Sequence, residues 1–161
     1  MQSFKIIKPI HILTPYVRYY WILEDGADVS VSERTLPTGC IQLVFHRGKR
    51  LLLVGKKESQ PQAFICGQCL NFSDVMSAGK IEMITVVFQP YAARAILQLP
   101  LKFFYGELIA VDAIEDLELS ILSRKVIEAD DHETCIRLIE QFLIHRLYRF
   151  EGYEYNLKRI S

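Results

Sequence analysis

From Ile10 to Phe88 the apolar positions fall in short runs rich in β-branched and aromatic side chains, each bounded by turn-forming residues. Beyond that point they recur at every third or fourth position. The change of period predicts a β-rich front and a helical back. Strands are expected at 16–23, closed by Asp25 and Gly26, and at 40–46, 51–54, 63–67 and 81–88. The polar residues 47–50 read as a hairpin between the second and third of these, 56–62 with Pro61 as a spacer, and 77–80 as the turn before the last. Short strands at this spacing argue for a sandwich or a barrel, because closure removes exposed sheet edges.

In the second half, Pro90 can occupy the first turn of a helix, where its missing N–H costs nothing. Ala92, Ala95, Ile96 and Leu99 then follow at helical spacing until Pro100. Asp112 with Glu115 has capping-box spacing ahead of a helix whose expected apolar face is Leu117, Ile121 and Leu122. Asp130 and Glu133 repeat that spacing before the longest helix, which is expected to run to about Tyr148 on a stripe of Cys135, Leu138, Ile139, Phe142, Leu143 and Leu147. The acidic pairs Glu115-Asp116 and Asp130-Asp131 fall at helix starts, where the positive end of the helix dipole favours them. Capping therefore explains them better than acid–base catalysis does.

With 50% of its residues hydrophobic and 24% charged, the chain fits a single domain over 1–161, mainly β-barrel over 1–89 and mainly helical over 90–161. Lys plus Arg and Asp plus Glu each number 19, so no net field draws the chain to a phosphate backbone. No apolar run approaches the roughly 18 to 20 residues that span a bilayer. No signal-peptide core follows Met1, and a cytoplasmic protein without membrane contact is expected.

Four features recur in one order. Leu36, Pro37 and Gly39 precede the alternating Ile41, Leu43 and Phe45. Phe64-Ile65-Cys66-Gly67-Gln68 brings an aromatic strand to a small-residue turn, Val86-Val87-Phe88-Gln89-Pro90 leads into a helix, and an apolar-striped helix occupies 135–147. From about residue 15 to 150 the chain thereby resembles the amino-terminal sensing domain of AraC/XylS-type bacterial transcription regulators. The resemblance implies an α+β fold, a cupin-like β-barrel of the double-stranded β-helix type followed by a carboxy-terminal helical subdomain. It also implies a small-molecule effector and a homodimer formed through helices beside the barrel. DNA would be bound only through a carboxy-terminal helix-turn-helix half, which would begin where this sequence stops at Ser161.

Enzymatic chemistry finds little support in the residue spacing. Cys66 and Cys69 form a Cys-x-x-Cys, but neither a βαβ context nor a second closely spaced pair accompanies it, and Cys40 and Cys135 lie in a strand and a helix. His11, His46, His132 and His145 are isolated, without the His-x-His pair that many metal-binding cupins use. No Gly-x-Ser-x-Gly elbow, phosphate loop or dinucleotide fingerprint is present. No catalytic residue, metal or cofactor is expected; a small cupin-type metalloenzyme and a ligand-free interaction domain are the alternatives.

Binding has more to work with. Strand alternation sends Cys40, Gln42, Val44 and His46 to one face and Ile41, Leu43 and Phe45 to the other. It also groups Val17, Tyr19 and Trp21 against Arg18 and Tyr20. In a hollow barrel, Trp21, Gln42 and His46 are the candidates for an effector pocket of apolar walls and a few oriented polar groups. In a self-filled barrel, Trp21 is core and Gln42 and His46 lie on a solvated face. On the last helix Leu138, Gln141, Phe142, His145 and Arg149 follow one side and are the candidates for the dimer contact that the resemblance implies. The alternative is that this helix packs on its own domain. The resemblance thus implies the effector-sensing or dimerising half of an AraC-like regulator.

Overall fold

The computed structural model describes residues 2–25, 41–48, 52–53, 61–67, 75–76, 80–90, 92–98 and 108–160. Its strands are β1 (Gln2–Ile7), β2 (Val17–Asp25), β3 (Gln42–His46), β4 (Leu52–Leu53), β5 (Ala63–Cys66), β6 (Val75–Met76), β7 (Ile81–Phe88) and β8 (Ile109–Ala110). Its helices are α1 (Ala92–Leu97), α2 (Leu117–Glu128) and α3 (His132–Ile160). Six strands form one antiparallel sheet in the order β1-β2-β7-β3-β5-β8, and β4 pairs with β6 apart from it. The fold is α+β. No helix among the described residues is long and apolar enough to cross a membrane.

The pleat explains how the sheet is used. Tyr20, Ile22, Leu43, Phe45, Ile65, Ile84, Val86 and Phe88 project to one side and bury against Leu119, Leu122 and Val126 of α2 and Cys135, Ile139, Leu143 and Leu147 of α3. Each such side chain contributes about 1.5–3 kcal/mol of burial free energy. The expected stripe of α3 is therefore its core face, with Leu138 and Phe142 partly buried at its margin.

Several local expectations shift. β3 and β4 are not the two arms of a hairpin, since both edges of β3 are occupied, by β5 and β7, and β4 pairs with β6. The backbone N–H groups of Arg47 and Gly48 instead both donate to Glu82 O, at 2.7 and 3.3 Å. Gly48 is required there, because a Cβ would lie 2.6 Å from Lys80 O and 2.9 Å from Glu82 N. A register break between Val17 and Tyr19 inserts Arg18 as a bulge and turns Val17 to the side of Tyr20 rather than that of Trp21.

The helix starts lie one residue or more from their expected places. Asp116, not Asp112, caps α2 by accepting from Leu119 N–H at 3.1 Å, and Asp112 falls in a 3-10 turn at Val111–Ala113. The buried face of α2 is accordingly Leu119, Leu122 and Val126, while Leu117 is 76% exposed and Ile121 is exposed. Asp131, not Asp130, accepts from Thr134 N–H at 2.7 Å at the start of α3, and that bond holds its carboxyl below the usual range. α3 continues past Tyr148 to Ile160.

A buried cation locks the helices together. Arg146 on α3 is 4% exposed, donates to Leu97 O at 2.8 Å, and grips both oxygens of Asp116 at 2.6 and 2.7 Å. Its guanidinium also lies 4.8 Å from the centre of the Phe142 ring. Asp116 thus caps α2 and neutralises Arg146 with one carboxylate.

Candidate functional site

The side of the sheet turned away from the helices carries a different population. Reading across β2, β7, β3 and β5, one row is Tyr19, Val87, Gln42 and Cys66, and the next is Trp21, Thr85, Val44 and Phe64. A third row is Leu23, Met83 and His46. Trp21, Leu23, Val44, Phe64, Cys66, Ile81, Met83 and Val87 form an apolar cluster separate from the helix-side core. Into this cluster the strands set Gln42, His46 and Thr85, at 2%, 0% and 0% exposure. Alternation alone dictates the placement: the residues that flank them along β3 and β7 are the ones that meet the helices.

Trp21, Gln42 and His46, chosen from the sequence, therefore lie on one face, and Gln42 and His46 are buried there instead of facing solvent. The His46 ring lies 5.8 Å from that of Phe64, centre to centre, and Trp21 stacks obliquely on Phe4 of β1 at the same separation. Thr85, one β-branched residue in a β-branched run and so without a signal of its own in the sequence, sits directly between Trp21 and Val44. Its hydroxyl and the Gln42 Oε1 atom are buried and reach no hydrogen-bond partner among the described residues. Each such atom costs about 1–3 kcal/mol if it stays unsatisfied. Two of them on one apolar face are the kind of exception that calls for a reason.

The thiol of Cys66 belongs to the same face, and burial pushes its pKa up to about 12. That is the reverse of what a redox Cys-x-x-Cys needs, because the thiolate is the reactive form. Cys69 and Cys40, like Leu36, Pro37 and Gly39, lie outside the described residues.

The five residues assigned to a dimer contact divide between two roles. Leu138 and Phe142 pack against the helix-side core, whereas Gln141, His145 and Arg149 are exposed. Arg149 pairs within the chain with Glu118 at 2.9 Å. Gln141 borders a cleft of about 490 Å³ between β1 and α3, lined also by Lys5, Ile7, Ile136 and Glu140. At the end of the helix-facing side, Glu24, Glu82 and His132 bring together a set of atoms that could hold a metal ion.

A family model described as a domain of unknown function (DUF6597) matches residues 5–110, which spans the sheet from β1 to β8. Among curated proteins and among solved structures, none matches the chain.

Proposed function

The chain belongs to the DUF6597 family, and from the order of its sequence motifs we propose that it is the effector-sensing domain of an AraC-like transcription regulator. In this reading the sheet is the wall of a cupin-like barrel. A small molecule rests on the face that carries Trp21, Gln42, His46 and Thr85, and the bound state changes pairing or interdomain contact so as to control a separate helix-turn-helix reader. α3, with Gln141 and His145 exposed, is the element through which two copies would pair.

The observation that carries the reading is the pair of buried oxygens without a partner among the described residues, Gln42 Oε1 and Thr85 Oγ1, set among aromatic and aliphatic side chains. Ligand sites combine apolar walls with a few convergent polar atoms, and a ligand bearing two N–H or O–H groups would satisfy both oxygens. Among the described residues, the buried side chains of the face are apolar apart from Gln42, His46 and Thr85, which favours an uncharged, partly aromatic effector. For the switch to operate, the effector has to bind one arrangement of the domain more tightly than the other.

The test uses the protein's own probe. Trp21 is the only tryptophan in the sequence, so tryptophan emission, excited selectively over that of tyrosine, reports this face alone. A panel of neutral aromatic molecules bearing hydrogen-bond donors should contain members that change it saturably, with affinity falling about tenfold in Gln42→Leu or Thr85→Val. Fluorescence changes indifferent to both substitutions would remove the basis of the proposal.

A further inference from the structure

Where the apolar rows of the helix-facing side give out, three side chains from distant segments converge. Glu24 on β2 and Glu82 on β7 are directly opposed in the antiparallel register. His132, the first residue of α3, places Nε2 2.9 Å from Glu24 Oε1 and 2.7 Å from Glu82 Oε1. All three ligand atoms lie within 4.8 Å of one another. The side chains of His132, Glu24 and Glu82 keep 26%, 44% and 24% of their exposure, so the site is open to solvent on one side.

Hydrogen bonding alone serves this arrangement poorly. Like charges directly opposite on neighbouring strands repel, and the one Nε2–H of a histidine cannot point at two carboxylates together. Arg47 offsets part of the charge. Its Nε lies 3.4 Å from Glu82 Oε1, and its guanidinium also bonds Ala129 O and Cys135 Sγ, which anchors it beside α3. The two carboxylates outnumber the one guanidinium beside them, so the site favours a further positive charge.

We propose that Glu24, Glu82 and His132 bind a divalent first-row transition-metal ion such as zinc(II), through one oxygen of each carboxylate and the Nε2 lone pair of a neutral imidazole. A mixed imidazole and carboxylate set suits these ions, whereas calcium and magnesium take oxygen ligands. Ligands held at about 2.05 Å from a metal are about 2.9 Å apart in an octahedral site and about 3.3 Å apart in a tetrahedral one. The separations from Nε2, 2.9 and 2.7 Å, need only a few tenths of an ångström of side-chain adjustment to reach the first of these values. Water would fill the remaining positions from the exposed side. Arg47, beside the same Glu82 oxygen, would be an outer partner of that ligand, and the ion would fasten the first turn of α3 to β2 and β7. The site lies on the opposite side of the sheet from the proposed effector face and does not depend on it. Its ligands come from positions 24, 82 and 132, so no local spacing announces it.

The test is calorimetric titration of zinc(II) into the metal-stripped chain, with cobalt(II) absorption as a second readout and circular dichroism to confirm folding of each variant. One equivalent should bind, and His132→Ala, Glu24→Gln and Glu82→Gln should each weaken binding by at least about 100-fold. His11→Ala, exposed in the short 3-10 turn at His11–Leu13, should leave it unchanged. No saturable binding, binding retained in those folded site variants, or an intense sulfur-to-cobalt band assigning the ion to cysteine would each overturn the proposal.

Discussion

Replacing Thr85 by valine should make the protein more stable and a worse ligand binder at the same time. The substitution exchanges a hydroxyl for a methyl group of nearly the same volume at a fully buried position. The hydroxyl has no partner among the described residues, and such a buried, unsatisfied group costs about 1–3 kcal/mol. The new methyl meets Trp21 and Val44, its cross-strand neighbours, and adds up to about 0.8 kcal/mol of apolar burial. The expected gain is about 1–3 kcal/mol, or about 2–4 °C in Tm for each kcal/mol in a chain of this length. Urea unfolding followed by circular dichroism measures it, with an unchanged slope against denaturant as the condition for reading the midpoint as stability. A loss of more than about 0.5 kcal/mol would show that the hydroxyl is bonded in the native state, and the argument for a ligand-facing polar pair would fall with it.

Arg146→Ala should cost about 3–5 kcal/mol, because it leaves Asp116 without its buried partner. In a denaturation cycle with Asp116→Asn, which keeps a capping side chain, the two losses should be clearly less than additive; simple additivity would mean that the pair is not coupled. Tyr20 has its phenol pushed up by burial and by Glu140, which accepts its proton at 3.1 Å. The folded state therefore keeps the neutral form, and the resulting stability is full below the unfolded value of about 10 and declines above it by up to about 1.4 kcal/mol per pH unit. Urea midpoints measured from about pH 8 to 11 should fall more steeply for the wild type than for Tyr20→Phe, and parallel curves would contradict the assignment. Gly48→Ala drives a Cβ against the Lys80 and Glu82 backbone and should lower stability by about 1–3 kcal/mol; an unchanged Tm would show that the strand ends can part at no cost.

Much of the sheet was legible because period 2 is unforgiving: Gln42, Val44 and His46 could not share a side with Leu43 and Phe45. The same holds for Cys135, Ile139, Leu143 and Leu147, which recur at a spacing only a helix brings to one face. The bulge at Arg18 escaped notice, since one inserted residue reverses a face without changing composition. The caps were misplaced because each helix start offers more than one acid. Backbone geometry rather than spacing decides between Asp112 and Asp116, and between Asp130 and Asp131. β1 and β8 were missed because a strand that ends a sheet need bury only part of itself, as exposed Phe4 and Ile6 show. The acidic pair with His132, and Arg146 with Leu97 and Asp116, are meetings of remote segments that no local pattern encodes.

Trp21 and Tyr20 are consecutive, so the two sides of the sheet are a single peptide unit apart. The Tyr20 hydroxyl and the Ile10 N–H both donate to the same oxygen of Glu140 on α3, at 3.1 and 3.0 Å. Any rotation of β2 about its own axis that swings Trp21 in one direction swings Tyr20 in the other, and Glu140 passes that motion to the helix as a sideways pull. The Tyr20–Glu140 hydrogen bond thus ties the strand directly to the helix, with no hinge or loop between them.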